Sequence, residues 1–106
     1  MKIEKINEGN FDEKIKNRGS VTVVDFYADW CGPCKMLSPV LEDLASNYTD
    51  VEFYKVNVDE NPNLSRTYGV MSIPMLVIFK GGIAKDTLIG LRSKDEISNI
   101  IKGLQN

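Results

Sequence analysis

Cys31 and Cys34 are the only cysteines in this chain of 106 residues, and they stand with two residues between them in "ADWCGPCK", beside the single tryptophan, Trp30. Thiols so spaced can serve as a structural staple, as metal ligands, as a haem anchor, as a nucleophile with a neighbouring base, or as an exchangeable dithiol. A staple here would close a loop of only four residues. Chain entropy assigns such a loop about 2 kcal/mol, against about 3 for a loop of 15 residues, so a structural disulfide would be better placed elsewhere. Zinc takes four ligands, usually Cys or His. This chain has no histidine and no second cysteine pair, so only a site shared across a dimer would complete the set. Haem attachment requires His after the second cysteine, where Lys35 stands. A Cys/His catalytic pair fails for want of the same residue. Reversible dithiol/disulfide exchange is the reading the pair favours.

Exchange needs one thiol to be activated, and the flanking elements suggest how. The strand ending near Ala28 and a helix running from about Cys34 place Cys31 at the strand-to-helix turn. The first N–H groups of a helix lack intrahelical partners and its dipole is positive there, which favours a thiolate over a thiol. Cys34, one turn in, is expected to be better shielded. That asymmetry suggests an attacking Cys31 and a resolving Cys34. Asp25 lies inside the apolar stretch "VVDFY". An ionised carboxylate would lose solvation there, so burial would raise its pKa and allow it to exchange protons near neutrality. Lys55, in "YKVNV", reads by itself as a surface lysine with its stem on apolar neighbours. Pro74 opens the strand "PMLVIFK", since proline cannot donate within a sheet. Composition alone makes its peptide bond trans.

The rest of the chain supplies the frame. "VTVVDFYA", "VEFYKVNV" and "PMLVIFK" are apolar on both faces, as strands covered on two sides must be. Leu37, Val40, Leu41, Leu44 and Tyr48 recur at helical spacing, as do Ile97, Ile100, Ile101 and Leu104. Asn10 with Glu13, and Ser93 with Glu96, mark two helix starts. Gly81 and Gly82 predict a hairpin. The predicted order is β α β α β α β β α, an α/β sheet with helices on both faces. The length fits one domain, 1–106, with its own core. Hydrophobic residues at 42% and charged residues at 26% exclude disordered, fibrous and membrane classes. Thirteen basic and 15 acidic side chains, net charge -2, offer no electrostatic reason to bind nucleic acid or anionic lipid. "MKIEKINEGNF" has no apolar core of a leader, and few cysteines point to the reducing cytoplasm. A mature chain that had lost a leader would read the same way.

"WCGPCK" after an apolar strand resembles the active-site motif of the thioredoxin family. The blocks "VVDFYADWCGPCKMLSP", "KVNVDENPNLSRTYGVMSIPMLVIFKGG" and "IGLRSKDEI" are similar to that family's blocks, in the same order, over essentially the whole chain. The resemblance implies a thioredoxin fold, with a central five-stranded mixed sheet in the order 1-3-2-4-5 flanked by four helices. It also implies a monomeric protein-disulfide reductase with no bound cofactor beyond a redox-active Cys31–Cys34 disulfide. Electrons would come from a thioredoxin reductase and pass to disulfide-containing proteins. By the same resemblance Asp25 is the buried acid that helps deprotonate Cys34 through water, and Lys55 is the lysine beside it. Trp30, Gly32, Pro33, Ile73, Pro74 and Gly90 then form the substrate surface. Pro74 is cis and faces the dithiol, and Ile73 offers backbone hydrogen bonds to an extended peptide. The Gly-Pro pair between the cysteines resembles the reducing members, since isomerases and oxidases usually carry His there. Pro39, inside the dithiol helix, is shared with the family and is expected to kink the axis. Met75 is a departure, because Thr most often follows the cis-proline. A thioether there is expected to alter the polarity of the groove or its substrate range. Two rival readings remain: a non-catalytic subunit that uses the same surface for binding, and an oxidase or isomerase outside the cytoplasm.

Overall fold

The computed structural model describes residues 3–16 and 19–105. Its elements are β1 (Glu4–Lys5), α1 (Phe11–Ile15), β2 (Val21–Tyr27), α2 (Gly32–Asn47), β3 (Glu52–Asn57), α3 (Pro62–Thr67), β4 (Met75–Lys80), β5 (Ile83–Ile89) and α4 (Lys94–Gln105). The predicted order of strands and helices is the observed one, and the sheet runs β1-β3-β2-β4-β5. The strands β1, β3 and β2 are parallel, while β4 is antiparallel to β2 and to β5. Residues 1, 2, 17, 18 and 106 of the expected 1–106 domain lie outside the described residues.

Strand side chains alternate between faces. In β2 the residues Val21, Val23 and Asp25 point toward α2 and α4, and Thr22, Val24 and Phe26 point the other way. On the first face Leu37, Leu41 and Leu44 of α2 pack with Ile97 and Ile101 of α4, the i, i+4, i+7 stripe that a covering helix needs. On the second, Phe11 of α1, Tyr68 and Phe79 form a triad of rings with centroids 5.4 to 6.0 Å apart. Offset and edge-on pairs at such distances add about 0.5–1.5 kcal/mol each to simple burial.

The capping signals had different fates. At α4 the Ser93 hydroxyl accepts from Glu96 N–H at 3.1 Å, as expected. The Glu96 carboxylate turns instead to Arg92, at 2.5 Å, so the reciprocal half of the capping box is not made. At α1 the Asn10 side chain does not cap the helix. It accepts from Asn7 N–H at 2.9 Å, and Asn7 Oδ1 accepts in turn from Gly9 and Asn10. Local side-chain bonds of this kind compete with a cap, and α1 has only five residues. Gly81 and Gly82 both adopt positive φ, at 60° and 81°. That is the pair of left-handed residues a two-residue hairpin demands. The dithiol helix contains Pro39 and begins at Gly32, earlier than the expected Cys34. Pro33 sits in its first turn, where a missing N–H leaves no bond unmade.

Met75 requires a correction. It opens β4 with its side chain in the second core, alongside Phe26, Val77 and Phe79, and is 3% exposed. The thioether therefore does not line a groove, because β4 alternation directs position 75 inward, to the face away from α2. Met75→Thr is expected to remove core volume and to bury a hydroxyl, lowering stability in urea by about 2–4 kcal/mol. The ratios of its rates on different protein disulfides should stay those of the wild type. Unchanged stability with unequal rates would return the side chain to the groove.

Candidate active site

Cys31 is the N-cap residue of α2, with extended backbone at φ -87° and ψ 112°. Its Sγ accepts from Cys34 N–H at 3.2 Å, one of the amides an α-helix leaves without an internal partner. The turn is fixed by Cys31 N–H donating to Ala28 O at 3.2 Å and Lys35 N–H donating to Cys31 O at 3.3 Å. Cys31 and Cys34 are joined in a disulfide with Cα atoms 5.3 Å apart. Both residues are 4% exposed, so in this oxidised form the expected better shielding of Cys34 is not seen. What separates the two sulfurs is the helix amide, which points at Cys31.

Behind the disulfide lies a cavity of about 160 Å³, lined by Asp25, Tyr27, Cys34, Lys35, Ser38 and Lys55 among others. Asp25 is 6% exposed and its Oδ1 has no hydrogen-bond partner. Burial pushes its pKa up from 3.8 to about 7, and the positive charge of Lys55 pulls the other way. Lys55 is the register partner of Asp25 across β2 and β3. Its ammonium lies 5.7 Å from the centroid of the Tyr27 ring, and it forms no ion pair among the described residues. The four residues expected to do the chemistry are thus brought to one place. Of the two cysteines, Cys34 is the one that lines this cavity with the carboxyl, and the volume is sufficient for water.

The residues expected to meet substrate converge on the same end of the sheet. The carbonyl oxygen of Ile73 lies 3.8 Å from Cys31 Sγ, and the Ile73–Pro74 peptide is cis, as the family resemblance implied. Gly90 N–H donates to Pro74 O at 2.8 Å, which ties the loop after β5 to the one before β4. Gly90 has φ 90°, a conformation strained for any side-chain-bearing residue. Gly32 and Pro33 are exposed in the first turn of α2, and Trp30 is 71% exposed. The indole N–H of Trp30 donates to Asp59 Oδ2 at 2.9 Å.

Sequence reasoning missed the support beneath that indole. Asn57 Oδ1 accepts from Asp59 N–H at 2.9 Å, and Asn61 Nδ2 donates to Asn57 O at 2.9 Å. Asn61 Oδ1 accepts from Glu8 N–H, 53 residues away, at 3.0 Å. Both asparagines are buried. The cluster "NVDEN", which starts at the last residue of β3, carries the signal, since Asn and Asp side chains bond their own backbone in turns. Among the described residues no group of three His, Cys, Asp or Glu could hold a metal ion, and no helix is long and apolar enough to cross a membrane.

The model of the family described as thioredoxin matches residues 2–103. Thioredoxin M2, chloroplastic, of Arabidopsis thaliana is 46% identical over 98 residues, which are 92% of this chain and 53% of that protein. This chain therefore spans about half the length of the plant protein. Thioredoxin of Staphylococcus haemolyticus is 44% identical over 102 residues, covering 95% of this chain and 96% of the relative. Among solved structures, a point mutant of thioredoxin from Halobacterium salinarum NRC-1 superposes with a TM-score of 0.91 at 37% identity, covering 99% of this chain and 92% of that one. Family model, relatives and superposed fold agree with the dithiol at the helix start: the chain belongs to the thioredoxin family and is a protein-disulfide oxidoreductase that works by dithiol/disulfide exchange.

Proposed function

We propose that the chain is a general protein-disulfide reductase of the cytoplasm, acting as a monomer without a bound cofactor and recycled by a thioredoxin reductase. The observation that supports this most directly is a buried carboxyl, its Oδ1 without a hydrogen-bond partner, in the cavity behind a dithiol whose Cys31 sulfur accepts from a helix amide. In the reduced form Cys31, stabilised as thiolate by the Cys34 N–H and the helix dipole, attacks one sulfur of a substrate disulfide. The substrate's S–S bond breaks, a mixed disulfide forms at Cys31, and the first substrate thiolate leaves. Cys34 then gives its proton to Asp25 through water and attacks Cys31 Sγ. The second substrate thiolate leaves, and the protons lost by the two cysteines end on the two substrate thiols. The substrate is reduced by two electrons and Cys31–Cys34 becomes the disulfide. Trp30, Gly32, Pro33, Ile73, Pro74 and Gly90 form the docking face, with the Ile73 backbone pairing to the substrate strand and Lys55 tempering the acid.

The roles of the two cysteines separate in a trapping experiment. Cys34→Ser is expected to accumulate covalent adducts with disulfide-containing proteins, and Cys31→Ser almost none, read on non-reducing gels. Equal trapping by both would remove the assignment. Replacing both cysteines abolishes reduction of insulin disulfides under this reading, whereas a binding module would keep its function. Reduction of insulin with NADPH and a thioredoxin reductase as the sole electron source tests the recycling step.

Asp25 makes a prediction with a definite sign. Its folded pKa, about 7, lies above the unfolded 3.8, so between those values the folded state holds a proton that the unfolded state has lost. Stability is therefore lost as pH rises from about 4 to about 7 and is lower by a constant amount above that. The difference between 3.8 and about 7 corresponds to a penalty on the order of 4 kcal/mol. Asp25→Ala is expected to be less stable than wild type at pH 4, where only its cavity counts, and to gain relative to wild type by up to that amount at pH 8. Urea unfolding at the two pH values measures this. The same change should slow resolution of the mixed disulfide by about 100-fold at pH 7, the low end for loss of a general base. A mutant with wild-type pH dependence and full activity would mean that Asp25 is solvated.

A further inference from the structure

Lys55 stands opposite Asp25 in the register of β2 and β3, and the two form no ion pair. The ammonium is instead 5.7 Å from the centroid of the Tyr27 ring. Tyr27 closes β2, two residues beyond Asp25 and on the same face, so it is the diagonal neighbour of Lys55 across the strands. All three side chains line the cavity that also holds Cys34. A lysine with a four-carbon stem can reach several partners from one backbone position, and the face of an aromatic ring attracts its charge without an ion pair.

We propose that Tyr27 is a positioning residue, whose ring holds the Lys55 ammonium away from Asp25 and so leaves that carboxyl able both to take and to return a proton during exchange. The inference rests on the reading of Asp25 as the proton acceptor for Cys34. Few other groups could serve instead. The charged or titratable residues that share the cavity of Asp25 are Cys34 and Lys35 from α2, Tyr27 of β2 itself, Asp29 from the turn after β2, and Lys55 from β3. The α4 residues in the core on this face are apolar, Ile97 and Ile101 with Ile100 and Leu104 beside them, and β4 places Leu76 opposite Asp25. At the outer end of Tyr27 stand Asn57, Lys5 of β1 and Glu60, the last two paired at 2.8 Å. Lys55 is the one charge found to draw Asp25 toward ionisation. Burial, the larger influence, is fixed by the fold, so the reach of this flexible side chain is what remains to adjust the acidity of the site, and the ring sets that reach.

The experiment is a 13C-detected titration of the Asp25 carboxyl in the oxidised chain, for Tyr27→Leu, Tyr27→Phe and Tyr27→Trp, each with Lys55 and with Lys55→Met. With Lys55 present, Tyr27→Leu releases the ammonium toward the carboxyl, and the midpoint is expected to fall by about half a pH unit, the scale of a part-exposed cation–π contact. Tyr27→Phe should keep the wild-type midpoint. Tyr27→Trp, a stronger π-face, should raise it. With Lys55→Met these differences should vanish, as a double-mutant cycle requires of a residue acting through another. An equal fall after Tyr27→Leu in both backgrounds would mean that the ring only screens Asp25 from water, and would overturn the proposal. So would a rise, or no shift at all. If Tyr27→Leu does not fold, the Trp variant carries the same test, since it keeps the packing. The midpoint is read without turnover. A failure here therefore stays distinct from a failure of Asp25 as proton acceptor, which the insulin assay of Asp25→Ala reports.

Discussion

The strand β2 is hydrogen-bonded along both edges, parallel to β3 and antiparallel to β4, and it is covered by helices on both faces. A strand held on four sides has no freedom to slip, because a shift by one residue would exchange its inward and outward faces. Everything in the site hangs from that fact. Asp25 has its depth because it is the fifth residue of this strand, between Lys55 and Leu76 in the register. Cys31 has its place because the chain leaves β2 at Tyr27 and enters α2 at Gly32, with room for only four residues between. Such a short turn obliges the dithiol to stand at the carboxyl end of the central strand, where ligand sites of open α/β sheets form.

The site handles two anions in opposite ways. The sulfur of Cys31 is offered a helix amide at 3.2 Å, which favours negative charge. The carboxyl of Asp25 is offered nothing at Oδ1 and is desolvated, which disfavours it. Proton transfer between neighbouring groups is easiest when their affinities for the proton are close. Raising the acid toward neutrality brings it near a thiol that must lose its proton at the same pH. The stability given up to keep a carboxyl there is offset by two apolar cores, one on each side of the sheet, that together take in Val21, Val23, Val24 and Phe26 of β2, Phe53, Tyr54 and Val56 of β3, and every residue of β4 but Lys80.

The outer face follows a different logic. Trp30 is mostly exposed, an arrangement that leaves a large apolar ring in water. One hydrogen bond, to Asp59, fixes its orientation, and a ladder of asparagine contacts fixes Asp59. An exposed but preoriented aromatic costs less order on docking than a mobile one, which suits the docking role proposed for this surface. The cis Ile73–Pro74 segment brings a backbone carbonyl beside Cys31 and is tied to Gly90. The proposed docking face is thus assembled from three separate loops around one sulfur.

Much of this was legible in the order of the residues. The spacing of Cys31 and Cys34, with no histidine anywhere, left dithiol exchange as the favoured chemistry, because zinc, haem and a Cys/His pair each need a partner the chain lacks and a four-residue loop makes a poor staple. The apolar runs around Asp25 announced a buried acid, since a strand apolar on both faces cannot keep one residue wet. Local pattern erred for two reasons. Asn10 has the composition of a cap but is engaged by Asn7, a rival local bond, and Met75 follows a groove proline yet faces a core built from residues distant in the chain. The buried Asn61 is held by meeting Glu8, and the fate of Lys55 depends on whether a ring or a carboxylate stands nearer. Periodicity and residue chemistry therefore determined which groups this protein owns and which elements carry them. Only the tertiary structure decided how far apart those groups stand, because the acidity of a buried carboxyl and the direction of a flexible lysine are set by distances across strands, and those do not exist until the sheet has closed.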